Sequence, residues 1–130
     1  MIKPKINMTI IKEGKGYSAY ASVKGNFIGT QGNTFDILKA NVLDAVNLAF
    51  ENKGYNYAIK DIHFTLDLAS FFEFYKVINA KALSERIGMN QSLLAQYIKG
   101  NKKPSPMQTR RILQGVQQIG RELSEIKFLL

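Results

Sequence analysis

The chain has 130 residues, of which 45% are hydrophobic and 22% charged, and its formal net charge is +8. That length suits one domain or two very small ones, the balance is that of a folded chain, and the charge points to a polyanionic partner. Cysteine is absent and histidine occurs once. This excludes disulfides, thiolate metal sites and a cysteine nucleophile, and leaves little from which to build a metal cluster or a Ser-His-Asp triad.

From the N-terminus, no signal-peptide core follows Met1, so the mature chain is expected to start there and to stay in the cytoplasm. No apolar run approaches the roughly 18 residues of a membrane span, so no membrane partner is expected. Ile6, Met8 and Ile10 alternate with Asn7 and Thr9, the pattern of a half-buried strand. Gly14-Lys15-Gly16 is a turn signal, and Tyr17 to Val23 alternates again, so the two runs form a hairpin. Phe27 to Thr30 reads as a short third strand.

The period then changes. Thr34 can cap a helix, and Phe35, Leu38, Val42, Ala45 and Ala49 recur at three and four, with Gly54 as the stop. Tyr57 to Asp67 alternates once more and predicts a strand. The order β-β-β-α-β makes a small α+β layer, a sheet with one helix on its apolar face. His63 falls on the polar side of the last strand, which reads as a surface histidine rather than a general base. Asp36, Asp44, Asp61 and Asp67 do not converge at metal-ligand spacing, so neither a metal nor a cofactor nor catalysis is assigned.

Residues 68–78 predict an aromatic helix capped by Asp67, with Phe71, Phe74 and Tyr75 on one face, read as core rather than as a base-stacking platform. Asn79 caps a second helix, Ala80 to Ile87, which stops at Gly88. Asn90 or Gln91 opens a third, which runs to Lys99 and stops at Gly100. Leu83, Ile87, Leu94 and Tyr97 are spaced to close on one another, as in a helix-turn-helix. Ser105-Pro106 then starts a last helix expected to reach about Phe128. Its apolar residues, Ile112, Val116, Ile119, Leu123, Ile126 and Leu130, form a 3.5-residue seam. Ile112, Leu113 and Val116 are assigned to the core, and Ile119, Leu123 and Ile126 to a dimer contact.

The charge is uneven. Residues 76–121 hold nine Lys/Arg against the single acid Glu85, which accounts for the whole excess of +8. Basic charge gathered on one module is the usual footprint of a nucleic-acid partner.

Two resemblances follow from these residues. Tyr17-Ser-Ala-Tyr20, Gly25, Gln31-Gly-Asn-Thr34, Ala40-Asn41 and Ala45 resemble the HicB antitoxin domain, a reduced ribonuclease-H-like layer with the same β-β-β-α-β order. The run from Ala82 to Gly100, followed by Lys102-Lys-Pro-Ser105, is similar to the Cro and phage-repressor (XRE-type) helix-turn-helix, with Ser84 in place of a small alanine. They imply an N-terminal HicB-like antitoxin domain at residues 1–66 and a helix-turn-helix DNA-binding domain with a C-terminal dimerisation helix at residues 67–130.

On that reading the third helix enters the major groove, and Asn90, Gln91, Ser92, Leu93 and Gln96, beside Ala95, meet base edges. Lys81, Lys99, Asn101, Lys102 and Lys103 hold phosphates. The resemblances imply an antitoxin that neutralises a HicA-like, mRNA-cleaving toxin and represses its own operon at operator DNA, as a homodimer or higher even oligomer. The alternative is a stand-alone dimeric regulator whose N-terminal domain senses a ligand or only mediates assembly. A metal-dependent nuclease is a third class, disfavoured by the lack of a carboxylate cluster.

Overall fold

The computed structural model describes residues 2–130, so Met1, where the sequence reading starts the mature chain, lies outside them. The elements in chain order are β1 (Ile6–Glu13), β2 (Gly16–Val23), β3 (Asn26–Gly32), α1 (Phe35–Ala49), β4 (Ile62–Leu66), α2 (Leu68–Phe74), α3 (Ala80–Ile87), α4 (Gln91–Lys99) and α5 (Pro106–Ser124). The fold is α+β, as the periodicities predict. The chain divides into two compact units, one reaching Phe74 and the other running from Tyr75 to Leu130.

In the first unit the sheet order is β3-β2-β1-β4. β1 and β2, and β2 and β3, are antiparallel, while β1 and β4 run parallel. A parallel neighbour requires a crossover, which the segment containing α1 supplies. Alternation buries Ile6, Met8, Ile10, Ala19, Ala21, Val23 and Ile28 on one face, against Leu38, Val42 and Val46 of α1. Each Ile, Leu, Val and Met among them contributes about 1.5–3 kcal/mol by leaving water, and the alanines less. Thr34 caps α1, accepting from the Ile37 N–H at 3.2 Å. Gly32 admits the start of that helix, since a Cβ there would stand 2.8 Å from the Leu38 nitrogen.

Several expected boundaries move. The last strand begins at Ile62 rather than Tyr57. Asn47 brackets the Tyr57 backbone, donating to its carbonyl at 3.1 Å and accepting its N–H at 2.7 Å. Asp61 then accepts the Ala58 N–H at 2.9 Å and closes a short 3-10 turn over Ile59–Asp61. Local side-chain bonds outcompete the ladder here. That backbone bond, with Lys3 at 3.2 Å, holds the Asp61 carboxyl below the usual carboxylate range.

The division between the two compact units falls after Phe74, where the sequence reading put the domain boundary after residue 66. Helix α2 belongs to the first unit. Phe74 stacks on Phe35 with centroids 4.1 Å apart and meets Tyr17 edge-on at 4.6 Å. Glu73 accepts from both the Tyr17 hydroxyl and the Lys12 ammonium, and Asp67 caps α2 through the Ser70 N–H at 2.9 Å. α2 stops at Phe74, short of the expected Ile78, because β-branched Val77-Ile78 lead directly into the Asn79 cap.

The second unit is all helical. Leu83, Met89, Leu94 and Ile112 are its buried apolar residues, from α3, the turn, α4 and α5. Ser84 is also buried, and its hydroxyl donates to the Lys81 carbonyl at 2.6 Å, so the departure from alanine leaves no unpaired group. Helix α5 is continuous past Gly115 and ends at Ser124, not near Phe128. The Ser124 hydroxyl turns back to the Arg121 carbonyl at 2.7 Å, and Glu122 and Glu125 sit at the negative end of the dipole, where acids disfavour a further turn. Leu113, expected in the core, is half exposed at 50%. The helix turns its Ile112 and Gly115 side inward, and Leu113 lies about 100° round from Ile112.

Candidate nucleic-acid interface

Three N-caps and two left-handed glycines build the α3–α4–α5 arrangement. Asn79 caps α3 and Asn90 caps α4, accepting from the Ala82 and Leu93 N–H groups at 2.9 and 3.1 Å. Ser105 caps α5 through the Gln108 N–H at 3.1 Å, with Pro106 at its first position. Gly88 (φ 68°) and Gly100 (φ 81°) end α3 and α4 in the left-handed region, where a side chain would be strained. The bond from the Met89 N–H to the Ser84 carbonyl, 2.8 Å, turns the chain so that Met89 is buried between the helices.

Leu94 is the one buried residue of α4 and so defines its inward direction. With about 100° per residue, Ser92 and Gln96 fall within about 20° of the opposite direction and Lys99 within about 40°. Gln91, Ser92 and Lys99 are exposed, and Ala95 and Gln96 are half-buried. The helix therefore presents a polar outer row with Ser92 and Gln96 at its centre and Lys99 at its end, while Gln91, exposed in the first turn, lies about 120° round from the outward direction.

Two members of the expected base-reading set sit differently. Asn90 is exposed, but its Oδ1 accepts the Leu93 N–H, which fixes the orientation of the amide and leaves one lone pair of that oxygen for a base. Leu93 is half-buried and lies about 80° round from the outward direction.

The residues expected to hold phosphate are all exposed: Lys81 in the first turn of α3, Lys99 in the last of α4, and Asn101, Lys102 and Lys103 beyond it. The Gln96 carbonyl accepts the N–H groups of Asn101 at 2.9 Å and Lys102 at 3.3 Å. These bonds fold the basic loop back onto the last turn of α4, beside the outer row. Not every cation of the unit is free for an anion. Arg86 pairs with Glu122, whose carboxyl that hydrogen bond and one from Gln118 hold below its ordinary range. Arg111 donates to the Ile87 and Gly88 carbonyls at 2.9 and 3.2 Å, closing the end of α3 from α5. That role was invisible in local sequence because the partners are more than twenty residues apart. Arg110, exposed on α5, was placed in neither class by the sequence pattern.

The expected dimer residues separate. Ile119 is half-buried, Leu123 is 59% exposed, and Ile126 is 53% exposed but lies beyond the end of α5, so the three do not form one helical seam.

In the first unit, His63 is exposed on the sheet face opposite α1. A polar cleft of about 500 Å³ lies at the β1–β2 turn, lined among others by Glu13, Ser18, Gln31, Asn33 and Asn41. Two of these are already bonded, Ser18 to Glu13 at 2.8 Å and Asn41 to the Gln31 carbonyl at 2.8 Å. Among the described residues no three His, Cys, Asp or Glu gather as metal ligands, and no helix is long and apolar enough to cross a membrane.

No family model matches the chain, and neither a curated protein nor a solved structure shows significant similarity to it.

Proposed function

We propose that the C-terminal unit is a helix-turn-helix that binds operator DNA, and that the chain is the antitoxin and autorepressor of a HicA/HicB-type pair. The observation that carries the DNA reading is the outer row of α4. Ser92 and Gln96 face outward, Gln91 leads the helix, and Lys99, Lys102 and Lys103 stand at its other end. An amide can pair with adenine through two atoms, serine with several bases, and lysine with phosphate irrespective of sequence. The uneven charge supports the same reading, because the polyanion would meet the unit that holds the excess.

The antitoxin half rests on the order of β1 to β4 and on the residues that resemble HicB. The N-terminal unit, including α2, binds and neutralises a small HicA-like toxin. The protein acts in the cytoplasm as a homodimer or higher even oligomer, since a twofold operator needs two modules about one helical turn apart.

The test is co-expression of the full chain with the product of the neighbouring reading frame, which this reading expects to be a small basic protein, followed by footprinting of the upstream DNA. The reading expects co-purification, rescue of growth, and two protected half-sites separated by about 10 base pairs. Protection without capture or rescue would leave a stand-alone regulator. Capture without protection would refute the DNA-binding half.

A further inference from the structure

The sheet of the first unit is dried by α1 on one face only. On the other face Asn7, Tyr20, Ser22, Phe27, His63 and Thr65 are all exposed. Two aromatic rings stand there. Phe27 is 72% exposed and Tyr20 40%, with centroids 6.5 Å apart and planes within 17° of parallel. Gly29, the cross-strand partner of Tyr20, makes the room: a Cβ on it would stand 2.9 Å from Cε1 of Phe27. The missing side chain lets the Phe27 ring lie back along its own strand beside Tyr20. Packing on Gly29 accounts for the place of that ring, yet both rings stay open to solvent.

The chemistry of the face selects the occupant. Around the rings it is built of hydroxyls and amides, and its formal charges stand only at its two ends. Lys24 in the β2–β3 turn and Lys5, one residue before β1, are exposed at the end nearer Phe27. Among the described residues neither lysine is ion-paired. The nearest acid, Asp61 before β4, is already held by Lys3 and the Ala58 N–H. Glu13 lies at the far end, where the Ser18 hydroxyl donates to it at 2.8 Å. Planar rings joined by single negative charges fit this arrangement, base on aromatic ring and phosphate on lysine. A duplex hides the faces of its bases, so the occupant is a single strand. The RNA 2′-hydroxyl, both donor and acceptor, matches the serine, threonine and asparagine side chains between the charged ends.

We propose that the open sheet face of the first unit binds single-stranded RNA, with Tyr20 and Phe27 stacking on bases and Lys5 and Lys24 holding the phosphates beside them. The site rests neither on the DNA reading of α4 nor on the antitoxin reading. His63 stands on the same face at the other edge of the sheet, opposite Asn7 and three strands from Phe27. That is a span of about 14 Å, so an RNA crossing the strands from the aromatic pair passes the imidazole.

His63 is the only histidine of the chain, so its ring signals in a proton–carbon spectrum report on this face in the full-length protein. The probe is a single-stranded RNA of alternating adenine and cytosine, titrated at constant pH and several salt concentrations. The proposal predicts that the His63 signals shift and saturate as RNA is added. Tyr20→Leu and Phe27→Leu keep apolar bulk at exposed sites and lose the aromatic face, and each should weaken that transition about tenfold. Lys5→Gln should weaken it and lower its salt slope by roughly 0.7 unit. DNA of the same base sequence should bind more weakly. RNA held only by the basic second unit would leave the His63 signals still and overturn the proposal. Leucine variants that bind as wild type does, or DNA that binds equally well, would also overturn it. So would His63 signals that move with protein concentration alone, which would give the face to a second copy. Should Phe27→Leu fail to fold, Tyr20→Leu decides.

Discussion

Arg111 on α5 donates from Nη2 to the carbonyl of Ile87 at 2.9 Å, and the same nitrogen reaches the Gly88 carbonyl at 3.2 Å. The last carbonyls of a helix lack intrahelical partners, and a guanidinium beside them also opposes the negative end of the dipole. Gln108 accepts from the other arm, Nη1, at 2.9 Å and so orients the fork. Hydrogen bonds from a charged group contribute about 1.5–3 kcal/mol. Arg111→Ala should therefore lower the stability of the second unit by about 2 kcal/mol, read by chemical denaturation. Arg111→Lys, which keeps the charge and loses the fork, should recover less than half. A neutral effect of both would mean that the arginine is free for DNA.

Gly115 predicts a sign. Alanine at an ordinary helical glycine gains about 1 kcal/mol from propensity, but here its Cβ would collide with Ile87, and overpacking costs about 1–3 kcal/mol. Gly115→Ala should destabilise the unit by about 1–2 kcal/mol. Gly115→Ala combined with Ile87→Ala, which removes the Cγ2 methyl group that the new Cβ would meet, should cost less than the two single losses added together. Thermal melts of both single variants and the double decide it, and a stabilised Gly115→Ala would contradict the packing.

Helix α2 closes the aromatic end of the first unit through Phe74, Tyr17 and Phe35. A fragment of residues 1–74 should fold, while one of residues 1–66 lacks Phe74 and Glu73 and leaves those rings open. The difference should be at least about 2 kcal/mol from lost area and ring contacts. Urea melts of the two fragments measure it, and equal stabilities would show that α2 is an appendage.

Burial pushes the Tyr17 hydroxyl up to about 12, with its hydrogen bond to Glu73 and the charges of Glu73 and Asp67 adding to the shift. The folded state thus favours the neutral phenol. The stability so contributed is complete below the ordinary value of 10.0 and is lost as pH rises through about 12. Melts of the 1–74 fragment between pH 9 and 12 should fall steeply for wild type. They should fall less for Tyr17→Phe, which starts lower because Glu73 loses a donor. Parallel pH profiles would contradict the assignment.

Much of this was legible in the sequence for a physical reason. Ile6-Asn7-Met8 and Ile62-His63-Phe64 alternate because one sheet face is dry, and Leu38, Val42 and Val46 repeat because one helix face is dry. The caps Thr34, Asn79, Asn90 and Ser105 were legible because a short oxygen-bearing side chain before an apolar period satisfies orphan N–H groups. What stayed hidden depends on distant partners. The spacing of Phe71 and Phe74 marks a dry face but not which unit dries it, and the stack on Phe35 places it in the first. The repeat from Ile112 to Leu130 specifies a stripe but not where the helix stops, and the end at Ser124 removes Ile126 from it. On α4, spacing put Asn90 and Leu93 among the readers. The cap bond fixes the Asn90 amide and Leu93 lies about 80° round from the outward direction, so among these residues Ser92 and Gln96 face outward most directly.

The central claim is that the outer row of α4 reads bases while the flanking lysines hold phosphate. Its most direct measurement is a titration of the upstream duplex and a scrambled duplex of equal length, at several salt concentrations, with wild type, Gln96→Ala and Lys102→Ala. Each lost amide-to-adenine contact should cost about 1–3 kcal/mol of discrimination, and each lost phosphate contact should lower the salt slope by about one unit. The account predicts that Gln96→Ala binds the two duplexes more nearly alike with its salt slope unchanged. Lys102→Ala should bind both more weakly with a shallower slope and the same preference, each effect being doubled in a dimer. A Gln96→Ala variant with full preference would move the reading surface off α4, and a wild type that binds neither duplex in a salt-dependent way would contradict the account as a whole.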